Sequence, residues 1–443
     1  MKINKPIILH VPAKLVQELD KYLLSNPPEF KYDLSYIYYT IHYMMGQRIK
    51  NKSRNETGSE VFLPLNSNTL RSIIGINTGN YIKILLDGEF IKSDNKYIVG
   101  EKCLGYTINP DFLQGVDTVE INAETKLFSK IIKHQRLKKA HNNRLDPFLK
   151  LMWEEFMNIE IDYQNAEKWV LNQPDEEKRT SYMMSLSQLE DKRFRYFKRN
   201  KTNNRLDTNI TNLKGDLRQF IIGDYVSIDL RNSQPFLLSI LLGTIINKDS
   251  KQQGSLCCNL HILNLLKTFG SRRIRGVINI HQNDKKAYLV NLNDFASSVT
   301  LGNLYEDFVE RYSNGLTRKD VKDIMFKVMF SKNESKKNKN FIPFEKEKKI
   351  FAKVYPYVYN SIKMLKSKDN VLLPVFLQKL ESYIFIDCIA KDLVNAGIIP
   401  LTIHDSVIIK AEQKEKALEI IKRTFSELFD VIPTFEVKPL KQK

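Results

Sequence analysis

Cysteine is scarce: four residues in 443, Cys103, Cys257, Cys258 and Cys388. Their spacing offers neither a disulfide framework nor a zinc pattern, because the adjacent pair cannot form a CxxC arrangement. A stapled secreted scaffold and a zinc module are thereby excluded, and a reducing compartment is expected. Long apolar runs are missing as well: none reaches the roughly 18 residues a membrane span needs. The opening MKINKPIILHVPAKLVQELD holds only a short apolar run before polar residues, so neither a leader nor an anchor is predicted and a soluble, cytoplasmic protein is expected. His10, His42, His134, His141, His261 and His281 show no metal-ligand spacing, and IHQND at 280 to 284 reads as a turn. Acidic residues are the fewer: 51 Asp and Glu stand against 69 Lys and Arg, a formal net charge of +18, which favours a polyanionic partner such as nucleic acid. With 42% hydrophobic and 27% charged residues, the chain is ordinary globular material, long enough for two to four domains of roughly 100 to 200 residues.

Residues 12 to 50 read as helical and are followed by an exposed polar loop, NKSRNETGSE. NSNTLRSIIG then predicts a short helix and NTGNYIKILLDGEFI a second, amphipathic one closed near Gly88. EFIKSDNKYIVGEKCLGYTI predicts two strands, turning at Ser93 to Asn95 and again near Gly100. Helix, turn, helix and β-wing is the order of a winged-helix module, which this segment resembles; such modules bind a DNA groove or serve as protein contacts. Residues 116 to 190 read as helices, the run KIIKHQRLKKAHNNR being a solvated face. DKRFRYFKRNKTNNR, 191 to 205, interleaves seven basic side chains with Phe194, Tyr196 and Phe197. Two readings stand here: a nucleic-acid contact using Arg193, Arg195, Lys198 and Arg199, or a solvated helix whose aromatics face the core. The one low-complexity piece is SKNESKKNKN at 331 to 340, and there is no internal repeat.

Three stretches carry candidate chemistry. In DYVSIDLRNSQPFLLSILLG, Val226 and Ile228 alternate with Ser227 and Asp229, so Asp229 points to the less apolar face near the end of a short strand. Asn232 or Ser233 can cap the buried helix PFLLSILL that follows, with Pro235 in its first turn. In LTIHDSVIIK, 401 to 410, two apolar runs flank His404-Asp405-Ser406, which reads as a hairpin tip lacking the glycine such turns favour. A carboxylate at a strand exit and another at a hairpin tip suit a divalent cation such as Mg²⁺, which takes one or two carboxylates with water and phosphate completing its shell. In TRKDVKDIMFKVMFS, Thr317 and Asp320 form a capping-box signature, and Val321, Ile324, Met325 and Val328 make a buried stripe. Arg318, Lys322, Phe326 and Phe330 recur every fourth residue, each advancing about 40° round the axis. They offer a triphosphate its countercharges and a base its stacking surface.

Together these residues resemble the family A DNA polymerases and the related phage single-subunit RNA polymerases. Arg318, Lys322, Phe326 and Phe330 match the fingers helix, R-x3-K-x3-F-x3-[YF], and Asp229 looks like the motif A aspartate. His404-Asp405-Ser406 is similar to motif C, HDE in the DNA polymerases and HDS in the RNA polymerases. NRLDTNITNL, 204 to 213, is similar to the segment preceding motif A, which makes Arg205 a candidate grip on primer and template. The match covers roughly residues 190 to 443 in the right order. It departs in three places. Leu230, Arg231 and Asn232 separate Asp229 from Ser233, the sugar-gate glutamate has no counterpart beyond a slipped match at Phe236, and Phe330-Ser331 replaces Tyr-Gly. The choice of sugar is therefore open. Gln378 in LPVFLQKLESYIF either matches a glutamine of the helix before motif C or, as the plainer reading, is a surface residue.

The resemblance implies two Mg²⁺ ions on Asp229 and Asp405, one lowering the pKa of the primer 3′-OH and one neutralising the leaving pyrophosphate. Arg318 and Lys322 would bind the triphosphate and His404 steer the turn. The expected architecture is α+β: N-terminal helices and a winged helix over 1 to 115, a basic helical connector over 116 to 200, and a polymerase-like palm with an antiparallel sheet and helical fingers over 201 to 443. The expected protein is monomeric, binds DNA template and primer with nucleoside triphosphates, and has no membrane partner. Two alternatives stand beside a DNA polymerase: an RNA polymerase or primase, and a non-catalytic DNA-binding initiator or regulator.

Overall fold

The computed structural model describes residues 5–52, 62–65, 67–98, 103–139, 145–249, 260–312, 315–334 and 341–441. The polar loop after residue 52, the turn near Gly100, Cys257, Cys258 and most of SKNESKKNKN lie outside the described residues. The protein is mixed α+β, mostly helical with small antiparallel sheets. It divides into two compact units: Met1–Leu145 with Ile159–Phe197 and Thr208–Ile222, and Asp146–Asn158 with Lys198–Asp207 and Gly223–Lys443.

In the first unit, β1 (Ile7–Val11) opens the chain and two helices, Ala13–Ser25 and Leu34–Lys52, follow where one helical stretch was expected. Pro27 and Pro28 separate them, since proline lacks the amide that would carry a helix through. β2 (Leu63–Pro64), helices Ser67–Ile73 and Thr78–Asp87, β3 (Ile91–Ser93) and β4 (Gly105–Ile108) come next, forming a three-stranded sheet in the order β2-β4-β3. Gly75, at φ +100, makes the turn between the two short helices, a conformation that favours glycine. Gly88 caps the second of them. Residues 117–121 differ from the expected helix: they form β5 (Asp117–Ile121), which pairs antiparallel with β1 from Ile7↔Ile121 to Val11↔Asp117. The partner strand supplies the hydrogen bonds that local pattern cannot reveal. Leu15, Leu19, Ile37, Ile41, Leu70, Leu85 and Leu127 fill this unit's core.

The stretch 191–205 is not a helix. Asp191 closes the helix Glu176–Glu190, and its side chain accepts from the Arg193 amide to start a single 3-10 turn. The chain then runs extended through β6 (Phe197–Arg199), turns at Asn204 with φ 60, and returns as β7 (Leu206–Thr208). Residues 280–283 close the helix Gly270–Asn283 instead of turning, and Asp284 caps the next helix by accepting from the Ala287 amide at 3.1 Å.

The second unit is built on a four-stranded antiparallel sheet in the order β11-β8-β10-β9, where β8 is Tyr225–Leu230, β9 Leu401–Ile403, β10 Ser406–Lys410 and β11 Phe435–Pro439. Val226, Ile228 and Leu230 of β8 are buried, while Tyr225, Ser227 and Asp229 are less so. This is the period of two that the sequence displays. Behind the sheet runs the helix Ser233–Asp249, whose apolar surface extends all round it; Phe236 is fully buried and meets Phe425 and Phe429 edge-on at 5.9 and 6.5 Å.

Candidate active site at the end of the second unit's sheet

Register brings the two predicted aspartates together. Ser406 of β10 lies opposite Asp229 of β8, so Asp405, one residue outside β10, stands beside the exit of β8. The Leu230 amide donates to the Asp405 carbonyl at 3.1 Å, extending the ladder past the strand ends. The Ser227 hydroxyl, two residues along the same face of β8, donates to the Asp229 carboxylate at 3.0 Å. Burial pushes the Asp405 carboxyl above its ordinary range, and the Asp229 charge pushes it the same way. Backbone hydrogen bonding, the Ser233 hydroxyl and the Arg205 guanidinium pull in the opposite direction.

The glycine-free hairpin is made by His404 itself, which takes the left-handed conformation at φ 54. Histidine adopts that region more readily than bulky or β-branched residues do. Asn232, just past the exit of β8, is also left-handed at φ 53. Two such residues flank the aspartates, the kind of backbone irregularity that collects where chemistry is placed.

A carboxylate that the sequence reading passed over completes the arrangement. Glu381, 1% exposed near the end of the helix Leu372–Ser382, forms an ion pair with Arg205 at 2.7 Å and accepts from the Gln234 side-chain amide. Burial lifts its pKa to about 7, against the pull of Arg205. A signal for it was present: Leu373, Leu377 and Leu380 mark the buried stripe, and Glu381 falls four residues after Leu377, on the face where a charge is costly. Tyr383–Ala390, immediately beyond, is a stretch of π-helix, a local widening often found beside functional sites. Gln378 is half-buried and accepts from Asn203 at 3.0 Å, where a surface position was expected.

The helix Arg318–Phe330 begins with the expected reciprocal cap between Thr317 and Asp320 and buries Val321, Ile324, Met325, Val328 and Met329. Its other face carries Arg318, Lys322 and Phe326, all exposed, Phe326 at 63%; Phe330 is half-buried with its ring 4.9 Å from that of Phe326. Arg318 donates to Glu306 at 2.7 Å and lies over the Tyr305 ring at 5.2 Å. The Tyr305 hydroxyl feels charge from both directions. Burial raises its hydroxyl pKa most, the Arg318 charge lowers it and the Asp405 charge raises it, so the ring lies within the fields of both. Arg231, at the exit of β8, is 3.8 Å from Glu436 on β11.

The basic stretch before the sheet is divided in use. Arg193 pairs with Asp191 at 2.7 Å and donates to the carbonyls of Lys5 and Pro6; Arg195 is 1% exposed and its Nε donates to the Leu189 carbonyl at 2.7 Å. Lys198 is exposed, and Arg199 grips Asp387 through two hydrogen bonds at 2.8 and 2.7 Å. Among the described residues no three His, Cys, Asp or Glu converge as a metal-binding group, and no helix is long and apolar enough to cross a membrane.

No family model and no curated protein matches the sequence. Among solved structures, the chain is similar to the POL domain of Pol1 from M. smegmatis, described in complex with DNA primer-template and dNTP. The similarity covers 60% of this chain and 51% of that one, at 11% identity and a TM-score of 0.27. The chain thus spans about half the length of that structure, and at so low a TM-score the likeness carries no argument.

Proposed function

We propose that the protein is a template-directed nucleotidyltransferase, a small DNA-directed DNA polymerase whose reaction centre is the Asp229 and Asp405 pair. The observation that supports this most is the β8–β10 register, which sets two carboxylates side by side at the ends of the sheet's two inner strands, with Arg205 near one of them. The capped helix carrying Arg318, Lys322, Phe326 and Phe330 on one face adds a second support. Asp229 and Asp405 fit a divalent cation on the chemistry of the donors alone. Both offer hard oxygens, and the repulsion and burial that raise the Asp405 pKa are what a cation would relieve. Two Mg²⁺ ions held there would supply activation of the attacking 3′-hydroxyl and neutralisation of the leaving pyrophosphate.

The chain's own groups do the rest. Arg318 and Lys322 bind the triphosphate, Arg318 exchanging Glu306 for phosphate oxygens, and Phe326 with Phe330 offers the base a stacking face. Arg205 holds the primer end, and His404 fixes the turn that aims Asp405. The element order over 34–108 supports a further reading of this region as a winged helix that contacts DNA, within an N-terminal module over 1–115. That same order favours the second reading of the whole protein, a non-catalytic DNA-binding initiator or regulator.

Primer extension on a labelled hairpin template with Mg²⁺, offering dNTPs and NTPs separately, separates the readings. Extension with dNTPs is expected, falling at least about a thousandfold in Asp229→Ala and in Asp405→Ala with template binding preserved. Extension with NTPs alone would make the protein an RNA polymerase or primase. Tight template binding without turnover would establish the regulator.

A further inference from the structure

The buried carboxylate of Glu381 meets two segments that are far apart in sequence. Arg205 comes from the 198–207 hairpin and Gln234 from the first turn of the helix that begins at Ser233, after Asp229. Each keeps one polar atom in reserve. Arg205 Nε, a donor, and Gln234 Oε1, an acceptor, are buried and have no hydrogen-bond partner among the described residues. Leaving such atoms unmade is costly in a folded protein unless something else completes them. The amide held on the same carboxylate belongs to Gln234, whose helix begins just past the exit of the strand that carries Asp229.

We propose that Glu381 is a positioning residue: it clamps Arg205 and Gln234 so that one spare donor and one spare acceptor face the nucleic-acid end held beside Asp405. The inference rests on the nucleotidyltransferase reading. Removing the Glu381 charge frees the guanidinium to leave the site while Asp229 and Asp405 stay in place, so the chemical step suffers more than nucleotide binding does.

The test is steady-state extension by the full chain, with nucleotide varied, for the wild type, Glu381→Gln, Arg205→Gln and the double variant, with a thermal melt of each. Glu381→Gln is expected to lower kcat about 10- to 100-fold, leave the nucleotide KM within about threefold, and add nothing to the loss in Arg205→Gln. Unchanged kcat, or a loss that multiplies with that of Arg205→Gln, would overturn the inference. If Glu381→Gln does not fold, Gln234→Ala reads the other arm: about tenfold lower kcat supports the clamp and wild-type kcat refutes it. A wild type that extends beside an indifferent variant refutes this inference alone; a wild type that never extends refutes the parent reading and this inference together.

Discussion

Residues 191–197 and 198–207 are one basic stretch in sequence and two different things in the fold. In the first, Arg193 and Arg195 are directed at Asp191 and at backbone carbonyls, and Arg195 is almost wholly buried. In the second, Arg199 and Arg205 pair with the carboxylates of Asp387 and Glu381, and the Glu381 carboxylate lies within the field of Asp405. Lysine and arginine content therefore reports how much charge a segment has, while the partner reports what the charge does. A guanidinium facing carbonyls ties the fold together; one facing a carboxylate near Asp405 is placed for a substrate.

That contrast is broken or sharpened most strongly by exchanging the two arginines' fates. Arg205→Ala should lower kcat/KM for extension about a hundredfold, with the loss of stability limited because the stranded Glu381 carboxyl, its pKa already about 7, takes up a proton. Arg195→Ala should do the reverse, losing about 2–4 kcal/mol of unfolding free energy in denaturant titration while the folded fraction keeps its turnover. Equal effects of both on turnover would erase the distinction.

The first unit's buried histidine offers a test that leaves the second unit's chemistry alone. His10, 1% exposed, contacts the Ser187 hydroxyl at 2.7 Å, and burial with the His42 charge holds its pKa down at about 3; burial holds His42 at about 4. The folded protein keeps His10 neutral, so below pH 6.5 the unfolded chain binds the extra proton. His42 is kept neutral in the same way, so stability is full above about pH 6.5 and falls as pH drops, by up to about 1.4 kcal/mol per pH unit for each of the two histidines. Urea midpoints measured from pH 7 to 4 should show that slope, and His10→Gln should cut it to about half, the part left being that of His42; a slope unchanged in the variant would place the proton uptake elsewhere.

The smallest effect belongs to the exposed pair Arg318–Glu306. Glu306→Gln removes the carboxylate that competes with a triphosphate for Arg318, and the nucleotide KM should fall about twofold, as suits a solvated ion pair. A rise in KM would show Glu306 supporting Arg318 rather than occupying it.

Much of the candidate site was legible because its signals are local. The period-two alternation of β8 set the face of Asp229, the Thr317–Asp320 cap and the Val321–Val328 stripe fixed the helix behind Arg318, and His404-Asp405 marked a turn. Glu381 was harder to see. Its helical position announced a buried charge, yet nothing in the sequence says which cation and which amide meet it. The strand at 117–121 and the extended run through 197–199 escaped for a related reason: strands owe their hydrogen bonds to partners remote in sequence, and β5 owes its own to β1.

By itself, then, the sequence determined charge, periodicity, caps and the identity of the groups able to bind cation and phosphate, because these depend on neighbours within a few residues. Only the tertiary structure decided that Ser406 stands opposite Asp229, that Arg195 turns inward while Arg205 meets Glu381, and that His404 carries a left-handed turn without glycine. Register, burial and long-range ion pairing depend on segments that folding brings together from separate parts of the chain, and no local pattern encodes them.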